Sequence, residues 1–391
     1  MTVARCAEIF TLNGGVVMDF FDMVKEAVES GASDIHMSAG NCPAYRVHGT
    51  MRYWEGAPLT DEDVVYMISQ VLNKERFEIF METCDVDGAA SVEGCGRFRI
   101  NAFRTRNGAS LVMRVINSTT PELDKLNLPA SIAKILELKE GLVLVTGPTG
   151  SGKSTTLAGI INQINREKNL NIITIEDPVE YLHRPIGCVI NQREIGPDSR
   201  SYHTALRAVL REDPDVILIG EIRDFESVSI ALSAAETGHL VFSTLHTEGA
   251  AKTIDRLVDL FPASQQRQAL GQISTSLKCV VSQRLLPRSD IPGRIGAFEI
   301  LFVNSAVANL IRENKIPQID QIIETSKGAG MITRNKSIQM LLDRGYINEQ
   351  TAREYSFDVS ENDSQFTSGM PGGMAGGARP YNPAGMNNMR R

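Results

Sequence analysis

The chain has 391 residues, 42% of them hydrophobic and 22% charged, which is ordinary for a soluble globular protein of two or three domains. Its formal net charge of −7 argues against nucleic acid as the main partner, because binding to phosphate backbones depends on Lys and Arg. No apolar run approaches the roughly 18 residues that a membrane-spanning helix needs, so direct insertion into a membrane is not expected. Six scattered cysteines without a C-x-x-C pair are typical of a reducing cytosol.

Capping and turn signals in the first part of the chain predict a small mixed α+β domain over residues 19–117. Residues 1–18 are interpreted as a leader, either disordered or upstream of an alternative start at Met18. Residues 358–391, rich in Gly, Asn and Met, lack periodicity and are expected to be a disordered tail. Two helices and two hairpins are predicted within the domain: a helix capped by Asp19, a helix capped by Thr60 with Asp63, and hairpins at Gly49-Thr50 and Asn107-Gly108.

A polar, proline-containing stretch at residues 118–128 is expected to link this domain to a second one at 129–357. In the second domain, strand-like runs alternate with helical segments, which indicates a mainly parallel sheet covered on both faces. After about Gly249 the pattern predicts helices as far as Ala352, apart from one strand-like run at Arg294–Val303. The runs that alternate with helices are Leu142–Thr146, Ile172–Glu176, Val216–Gly220 and Leu240–Thr244.

A phosphate-binding loop is predicted directly after the strand that ends at Thr146, because the signature G-x-x-x-x-G-K-[ST] is met there at every position. Its glycines let backbone N–H groups converge on phosphate oxygens. Lys153 is expected to reach the β- and γ-phosphates, and the Ser154 hydroxyl to bind Mg²⁺. This predicts ATP and Mg²⁺ as cofactors. The nucleotide-binding residues are Gly147, Pro148, Thr149, Gly150, Ser151, Gly152, Lys153, Ser154 and Thr155.

A phosphate-loop ATPase also needs carboxylates that hold Mg²⁺ and orient the attacking water. Glu176 and Glu221 each follow a predicted strand, and ligands of open parallel sheets lie at the carboxyl ends of the strands. Glu221, directly after Val216–Gly220, occupies a position like that of Walker B. Both are therefore candidates for the metal site with Ser154, partly through water. The assignment is weaker for acidic residues in turns, which are common there: Asp177, Glu180 and Asp224.

Two histidines bracket the strand-like run Leu240–Leu245, with His239 at its start and His246 at its end. A strand of that length separates its ends by about 20 Å, so both cannot contact one phosphate unless a loop folds back. A histidine considered alone is more often structural than functional.

Several stretches, taken together and in this order, identify the chain as similar to the secretion ATPase superfamily and, within it, to the type IV pilus retraction ATPases of the PilT family. The resemblance extends over residues 19–353. The stretches that carry it are Gly31–His36, Gly147–Thr155, Thr174–Tyr181, Leu210–Asp224 and Ala235–Thr247.

The resemblance implies a hexameric ring whose subunits have a PAS-like N-terminal α+β domain, followed by a RecA-like P-loop ATPase domain with a helical C-terminal part. It implies that Glu176 and Glu221 help to position Mg²⁺ and activate water, and that His239 lies near the nucleotide and senses its state. Related enzymes also use two arginines, fifteen residues apart on the N-terminal domain, to reach the phosphates. Arg99 and Arg114 have that spacing here.

The implied function is a cytoplasmic, Mg-dependent ATPase motor, peripheral at the inner membrane, that powers pilus retraction and twitching motility. Its implied partners are a platform protein of the inner membrane and a paralogous retraction ATPase. The segment Ala306–Glu313 resembles a helical motif of retraction enzymes but departs from it at Val307 and Ala308. An accessory retraction ATPase of the PilU type, an assembly- or secretion-direction ATPase, and a regulator that hydrolyses poorly remain as alternatives.

Overall fold

The computed structural model describes most of the chain: residues 10–11, 17–47, 49–116 and 120–356. The predicted tail at 358–391 and most of the predicted leader lie outside the described residues. Two short strands, β1 (Phe10–Thr11) and β2 (Val17–Met18), pair antiparallel within the leader. The predicted leader thus includes one strand pair, at these four residues.

The described residues between 17 and 116 form a six-stranded antiparallel sheet in the order β5-β4-β3-β8-β7-β6, with three helices. Its buried residues make one apolar core of their own. The elements are α1 (Phe20–Glu29), β3 (Asp34–Ser38), β4 (Ala44–Val47), β5 (Thr50–Tyr53), α2 (Asp61–Val71), α3 (Lys74–Thr83), β6 (Asp85–Val92), β7 (Gly96–Thr105) and β8 (Gly108–Ile116).

The local signals predicted for this part are confirmed. Asp19 accepts a hydrogen bond from the backbone N–H of Asp22 at 2.8 Å and starts α1. Thr60 and Asp63 form a reciprocal capping box at the start of α2. The two predicted hairpins are β4–β5 and β7–β8. Helix α3, whose N-cap Asn73 accepts a hydrogen bond from the Arg76 N–H at 2.9 Å, was not predicted.

The rest of the chain builds a seven-stranded sheet in the order β11-β10-β12-β13-β9-β14-β15. All its neighbouring strands are parallel except β14 and β15. The elements are α4 (Ala133–Leu136), β9 (Gly141–Thr146), α5 (Lys153–Glu167), β10 (Asn171–Glu176), β11 (Val189–Glu194), α6 (Tyr202–Val209), β12 (Val216–Ile219), α7 (Phe225–Glu236), β13 (Leu240–Leu245), α8 (Ala250–Asp259), α9 (Gln266–Ser276), β14 (Leu277–Pro287), β15 (Arg294–Phe302), α10 (Ser305–Arg312), α11 (Ile319–Thr325), α12 (Arg334–Asp343) and α13 (Glu349–Tyr355).

Both faces of this sheet are covered by helices, as predicted. In the central strand β9, Leu142 and Leu144 belong to one apolar cluster, whereas Val143 and Val145 belong to another. Alternate side chains of a strand point to opposite faces, so the two clusters are two separate cores. Such burial explains why the strand is a continuous apolar run. None of the helices in the described residues combines the length and hydropathy needed to cross a bilayer.

The prediction of an almost entirely helical region after Gly249 is wrong for β14. This strand lies between β9 and β15 and is parallel to β9. Helix α9 ends at Ser276 and β14 begins at Leu277, so no glycine or proline separates them in the sequence. The predicted strand at Arg294–Val303 is confirmed as β15.

The stretch expected to be a linker is ordered over its second half. A short 3-10 helix, Leu123–Leu126, packs against α5, where the bare Cα of Gly159 leaves room for two leucine side chains. Helix α3 also contacts the segment that follows β11. Arg76 donates a hydrogen bond to the carbonyl oxygen of Ile195 at 3.1 Å.

Candidate nucleotide-binding site

The predicted phosphate loop leaves β9 and enters α5. Gly147, Gly150 and Gly152 have φ angles of 139°, 76° and 87°, a region that favours glycine. A Cβ atom at Gly147 would lie 2.1 Å from the carbonyl oxygen of Gln283, so no larger residue fits there. The backbone N–H groups at the start of a fifteen-residue helix have no intrahelical partners and form an anion site.

Lys153 folds back over this loop. Its Nζ donates hydrogen bonds to the carbonyl oxygens of Gly147, at 2.8 Å, and Pro148, at 3.1 Å. Burial lowers the pKa of Lys153, while the charges of Glu221 and Glu180 act in the opposite direction. The loop therefore holds its own cation at the place where phosphates are expected.

The phosphate loop opens into a cavity of about 770 Å³ between the two sheets. The C-terminal sheet contributes the loop and the ends of its strands, and the N-terminal sheet contributes two arginines. The sequence-predicted residues that line the cavity are Thr149, Gly150, Ser151, Gly152, Lys153, Ser154, Thr155, Glu176, Glu221, Arg99 and Arg114. Of the weaker candidates, the lining includes Asp177, Glu180 and Asp224.

Glu221 follows β12 and is held through its backbone. The Tyr202 hydroxyl donates to the Glu221 carbonyl oxygen at 2.8 Å and accepts from its N–H at 3.1 Å. The carboxylate contacts Arg223 Nε at 2.9 Å and His246 Nε2 at 3.2 Å. Two groups thus fix the direction of the carboxylate and a third holds its backbone, which is the arrangement expected of a carboxylate that must orient a ligand.

Glu176 ends β10 in a more enclosed position. Burial raises the pKa of its carboxyl to about 7. Gln192 Nε2 approaches Glu176 Oε1 at 3.4 Å and donates to the Tyr181 carbonyl oxygen at 2.8 Å. Burial therefore favours the protonated form of this carboxyl, and a cation in the cavity would favour its ionised form.

Arg99 and Arg114 are directly opposite each other on β7 and β8. Both side chains line the cavity, although their strands belong to the other sheet. Arg114 Nε also contacts Asp34 Oδ1 at 2.8 Å. Two guanidinium groups thus face the phosphate loop across the cavity, and they can stabilise spread phosphate charge.

The structure does not bring His239 to this cavity. It lies at the amino end of β13, where its Nδ1 contacts the Ala234 carbonyl oxygen at 2.9 Å and Thr237 Oγ1 at 3.1 Å. Of the two histidines that bracket β13, His246, at the other end of the strand, lines the cavity. The expectation that His239 lies near the nucleotide is therefore wrong for the cavity of its own chain. The strand is extended, and its length keeps the two histidines apart.

His246 joins two of the predicted groups. Its Nδ1 lies 3.5 Å from Lys153 Nζ, and its Nε2 lies 3.2 Å from Glu221 Oε1. Because an ammonium group only donates, Nδ1 accepts, and the Nε2–H group donates a hydrogen bond to the Glu221 carboxylate.

Gln283 was missed because its strand, β14, was missed. Its side chain accepts from Thr156 Oγ1 at 2.9 Å and donates to the Ser151 carbonyl oxygen at 2.7 Å, and these bonds support the phosphate loop.

Arg294, in the cavity lining, approaches the Gly150 carbonyl oxygen at 3.4 Å. Asp224 is mainly structural, since it accepts from the Ser227 N–H and caps α7. Nothing in a single sequence distinguishes such residues from other polar side chains.

The oxygen atoms of Ser154, Glu176 and Glu221 suit Mg²⁺, which prefers oxygen ligands. Within the described part of the chain, no set of three or more His, Cys, Asp and Glu side chains could hold a metal ion by itself. Mg²⁺ in nucleotide sites is usually held by one or two carboxylates together with substrate phosphates and water. The residues therefore fit a magnesium ion that arrives with its nucleotide.

A phosphate loop at the carboxyl edge of a mainly parallel sheet, faced by strand-end carboxylates, defines a P-loop nucleotide-binding protein. Residues 13–353 match the family model described as Type II/IV secretion system protein. The chain belongs to that family.

The similarity to named relatives in the family extends over most of both chains. The chain is 48% identical over 311 residues to a twitching motility protein of Neisseria gonorrhoeae, covering 80% of this chain and 83% of the relative. It is 43% identical over 337 residues to the type IV pilus retraction ATPase PilT of Pseudomonas aeruginosa, covering 86% and 98%. A crystal structure of the pilus retraction motor PilT with bound ADP superimposes with a TM-score of 0.82 at 44% identity, covering 89% of this chain and 99% of that one.

Proposed function

We propose that this chain is a Mg-dependent ATPase that powers retraction of type IV pili. The observation that carries the proposal is the convergence of Lys153, two strand-end carboxylates and two arginines on one cavity. The similarity along almost the whole length of a retraction ATPase supports the choice of process.

The residues divide the chemistry among them. The loop N–H groups and Lys153 bind the phosphates, and Ser154, Glu176 and Glu221 would hold Mg²⁺. The metal ion would neutralise charge on the phosphate oxygens. Glu221 would orient the attacking water and accept its proton, with His246 fixing the carboxylate. Arg99 and Arg114 would stabilise the charge that spreads over the transferred phosphoryl group.

The assembly proposed for this activity is a homo-hexamer. Each subunit would have a PAS-like domain at 19–117 and a RecA-like domain at 129–357, and the nucleotide would lie between them. Closure and reopening of the two domains would drive a platform protein at the inner membrane, with the motor peripheral on the cytoplasmic side. A paralogous retraction ATPase would be a further partner.

Retraction and assembly enzymes would share this ATP site, so the direction of work is tested in the cell. The deciding experiment is a deletion strain scored for surface pili and twitching. Excess pili without movement supports retraction, whereas loss of pili supports an assembly ATPase. A strain with normal twitching and weak force would support an accessory motor.

Complementation of the deletion strain links the process to the site. Lys153→Ala removes the cation that faces the β- and γ-phosphates and should abolish both ATP turnover and twitching. The control is Lys139→Ala, an exposed lysine just before β9. Full turnover by a folded Lys153→Ala protein would refute the nucleotide-site assignment, and so would an equal loss in the control.

A further inference from the structure

The N-terminal sheet carries a row of charged residues across four adjacent strands. Arg46 on β4 is paired with Asp34 on β3, Asp34 with Arg114 on β8, and Arg114 with Arg99 on β7. Residues directly opposite each other in a sheet lie on the same face. The row therefore ends at the nucleotide cavity, which Arg114 and Arg99 line.

Asp34 is the only acidic member of this row. The residue is 8% exposed, and its carboxylate accepts hydrogen bonds from Arg114 Nε at 2.8 Å and Ser33 Oγ at 2.9 Å. Burial acts to raise the pKa of Asp34, but the bonds from Arg114 and Ser33 lower it below its usual value. The carboxylate is therefore ionised at neutral pH and bound to Arg114.

The row needs this carboxylate for two reasons. Like charges directly opposite each other repel, so Arg99 and Arg114 cannot share the cavity wall without a counter-charge. The Arg114 side chain is also 67% exposed, and a long exposed side chain samples many rotamers unless one atom is held. A bond to Nε holds the guanidinium plane and does not consume the terminal nitrogens, which can bind phosphate.

We propose that Asp34 is a positioning residue for ATP hydrolysis, which holds the Arg114 guanidinium at the phosphate end of the cavity and offsets its repulsion from Arg99. Asp34 is outside the cavity lining formed by the described residues, so it acts through Arg114 and not on the nucleotide. This inference rests on the proposed ATPase function. It assigns a role to the stretch Gly31–His36, which the nucleotide site leaves without one.

The test is a double-mutant cycle measured as kcat and KM for MgATP. Asp34→Asn keeps the shape but removes the charge, and should lower kcat at least tenfold with KM changed less than threefold. Arg114→Ala should show a similar loss. The double variant should be no slower than Arg114→Ala alone, because residues that act as a unit are not additive. Asp34→Glu keeps the charge and should recover part of the kcat lost in Asp34→Asn.

A second Asp–Arg pair, between the start of α2 and strand β7, supplies the control. Asp61 contacts Arg104 at 2.9 Å, but neither residue is in the cavity lining of the described chain. Asp61→Asn should lower thermal stability and leave kcat within twofold. If Asp34→Asn is too unstable to purify, Asp34→Ser, which also removes the charge, gives the same cycle with and without Arg114→Ala.

The outcomes separate this inference from the function on which it rests. Loss of turnover in Lys153→Ala with unchanged turnover in Arg114→Ala keeps the ATPase and overturns the positioning role. An extra loss when Asp34→Asn is added to Arg114→Ala would show that Asp34 supports the fold only, which also overturns it. Turnover that survives Lys153→Ala would instead refute the proposed function.

Discussion

Arg97 on the N-terminal sheet and Glu194 on the C-terminal sheet form an ion pair that joins the two halves of the cavity. Glu194 is 4% exposed and also accepts the Val179 backbone N–H at 3.2 Å. It is paired in register with Glu176 on the neighbouring strand. Arg97 lies two residues before Arg99, on the same face of β7. The ion pair therefore sets the distance between the two cavity arginines and the two strand-end carboxylates.

Breaking this pair should separate binding from hydrolysis. Glu194→Gln keeps an acceptor for the Val179 N–H but leaves Arg97 without its counter-charge in a largely buried place. Loss of one partner of a buried ion pair typically costs about 3–5 kcal/mol, here spent on docking of the two sheets. We expect turnover to fall about tenfold or more while ATP affinity changes little.

The comparison for this prediction is Arg106→Gln, at the exposed turn of the same hairpin. ATP turnover and nucleotide titration would be measured on both variants. Unchanged turnover in Glu194→Gln would mean that docking does not depend on the ion pair.

Glu221→Gln should leave nucleotide binding intact and slow hydrolysis. The amide has nearly the same shape but cannot accept a proton from the attacking water, so we expect a loss of about 10² or more in kcat. Binding is measured by titration with a fluorescent ADP analogue, and turnover by phosphate release. Glu137→Gln, an exposed glutamate before the sheet, is the control. A parent-like rate would transfer the role of base to Glu176.

Glu176 should make the stability of the nucleotide-free protein depend on pH. Its pKa is about 7 in the folded chain against an ordinary value of 4.5, because burial disfavours the charged form. As the pH rises, the unfolded chain therefore releases this proton at a lower pH than the folded chain does. The contribution of Glu176 to the free energy of unfolding falls between about pH 4.5 and 7 and is constant above that. The total decrease in the free energy of unfolding is about 3 kcal/mol.

The neutral variant Glu176→Gln tests this directly. It should be more stable than the parent at pH 8 and close to it at pH 4.5, as measured by the free energy of unfolding in urea. Glu140→Gln, an exposed carboxylate just before β9, should show no such trend. A gain that is equal at both pH values would exclude ionisation as its cause.

The two histidines should differ in their effects. His246→Ala removes the group between Lys153 and Glu221 and should lower kcat about tenfold or more. His239 lies at the far end of β13, so His239→Ala should leave the ATP dissociation constant within about twofold of the parent value. Equal losses of affinity in both variants would show that His239 reaches a nucleotide by a route outside its own chain.

Local signals predicted the elements whose formation depends on neighbouring residues. The capping box at Thr60, the turn at Asn107-Gly108 and the phosphate loop each specify their backbone within a few positions. They were correct because the required residue types are few and closely spaced. Glu176 and Glu221 could be placed at the cavity for a related reason, since the carboxyl ends of parallel strands meet at one edge.

Features that depend on distant pairing could not be predicted from the residues alone. Strand β14 is buried on both faces and follows α9 without punctuation, so periodicity could not distinguish it from a helix. Gln283 was lost with it. The pairing of Asp34 with Arg114 joins residues eighty positions apart, and nothing near either residue signals the contact.

The position of β9 in the sheet has a consequence for synthesis on the ribosome. This strand carries the phosphate loop, yet its two neighbours are β13 and β14, which are made about one hundred and more residues later. Parallel pairing between such distant segments forms slowly and only after the later segment is available. The nascent chain therefore has no supported phosphate loop until residues 277–287 have left the exit tunnel, and ATP cannot assist folding before then.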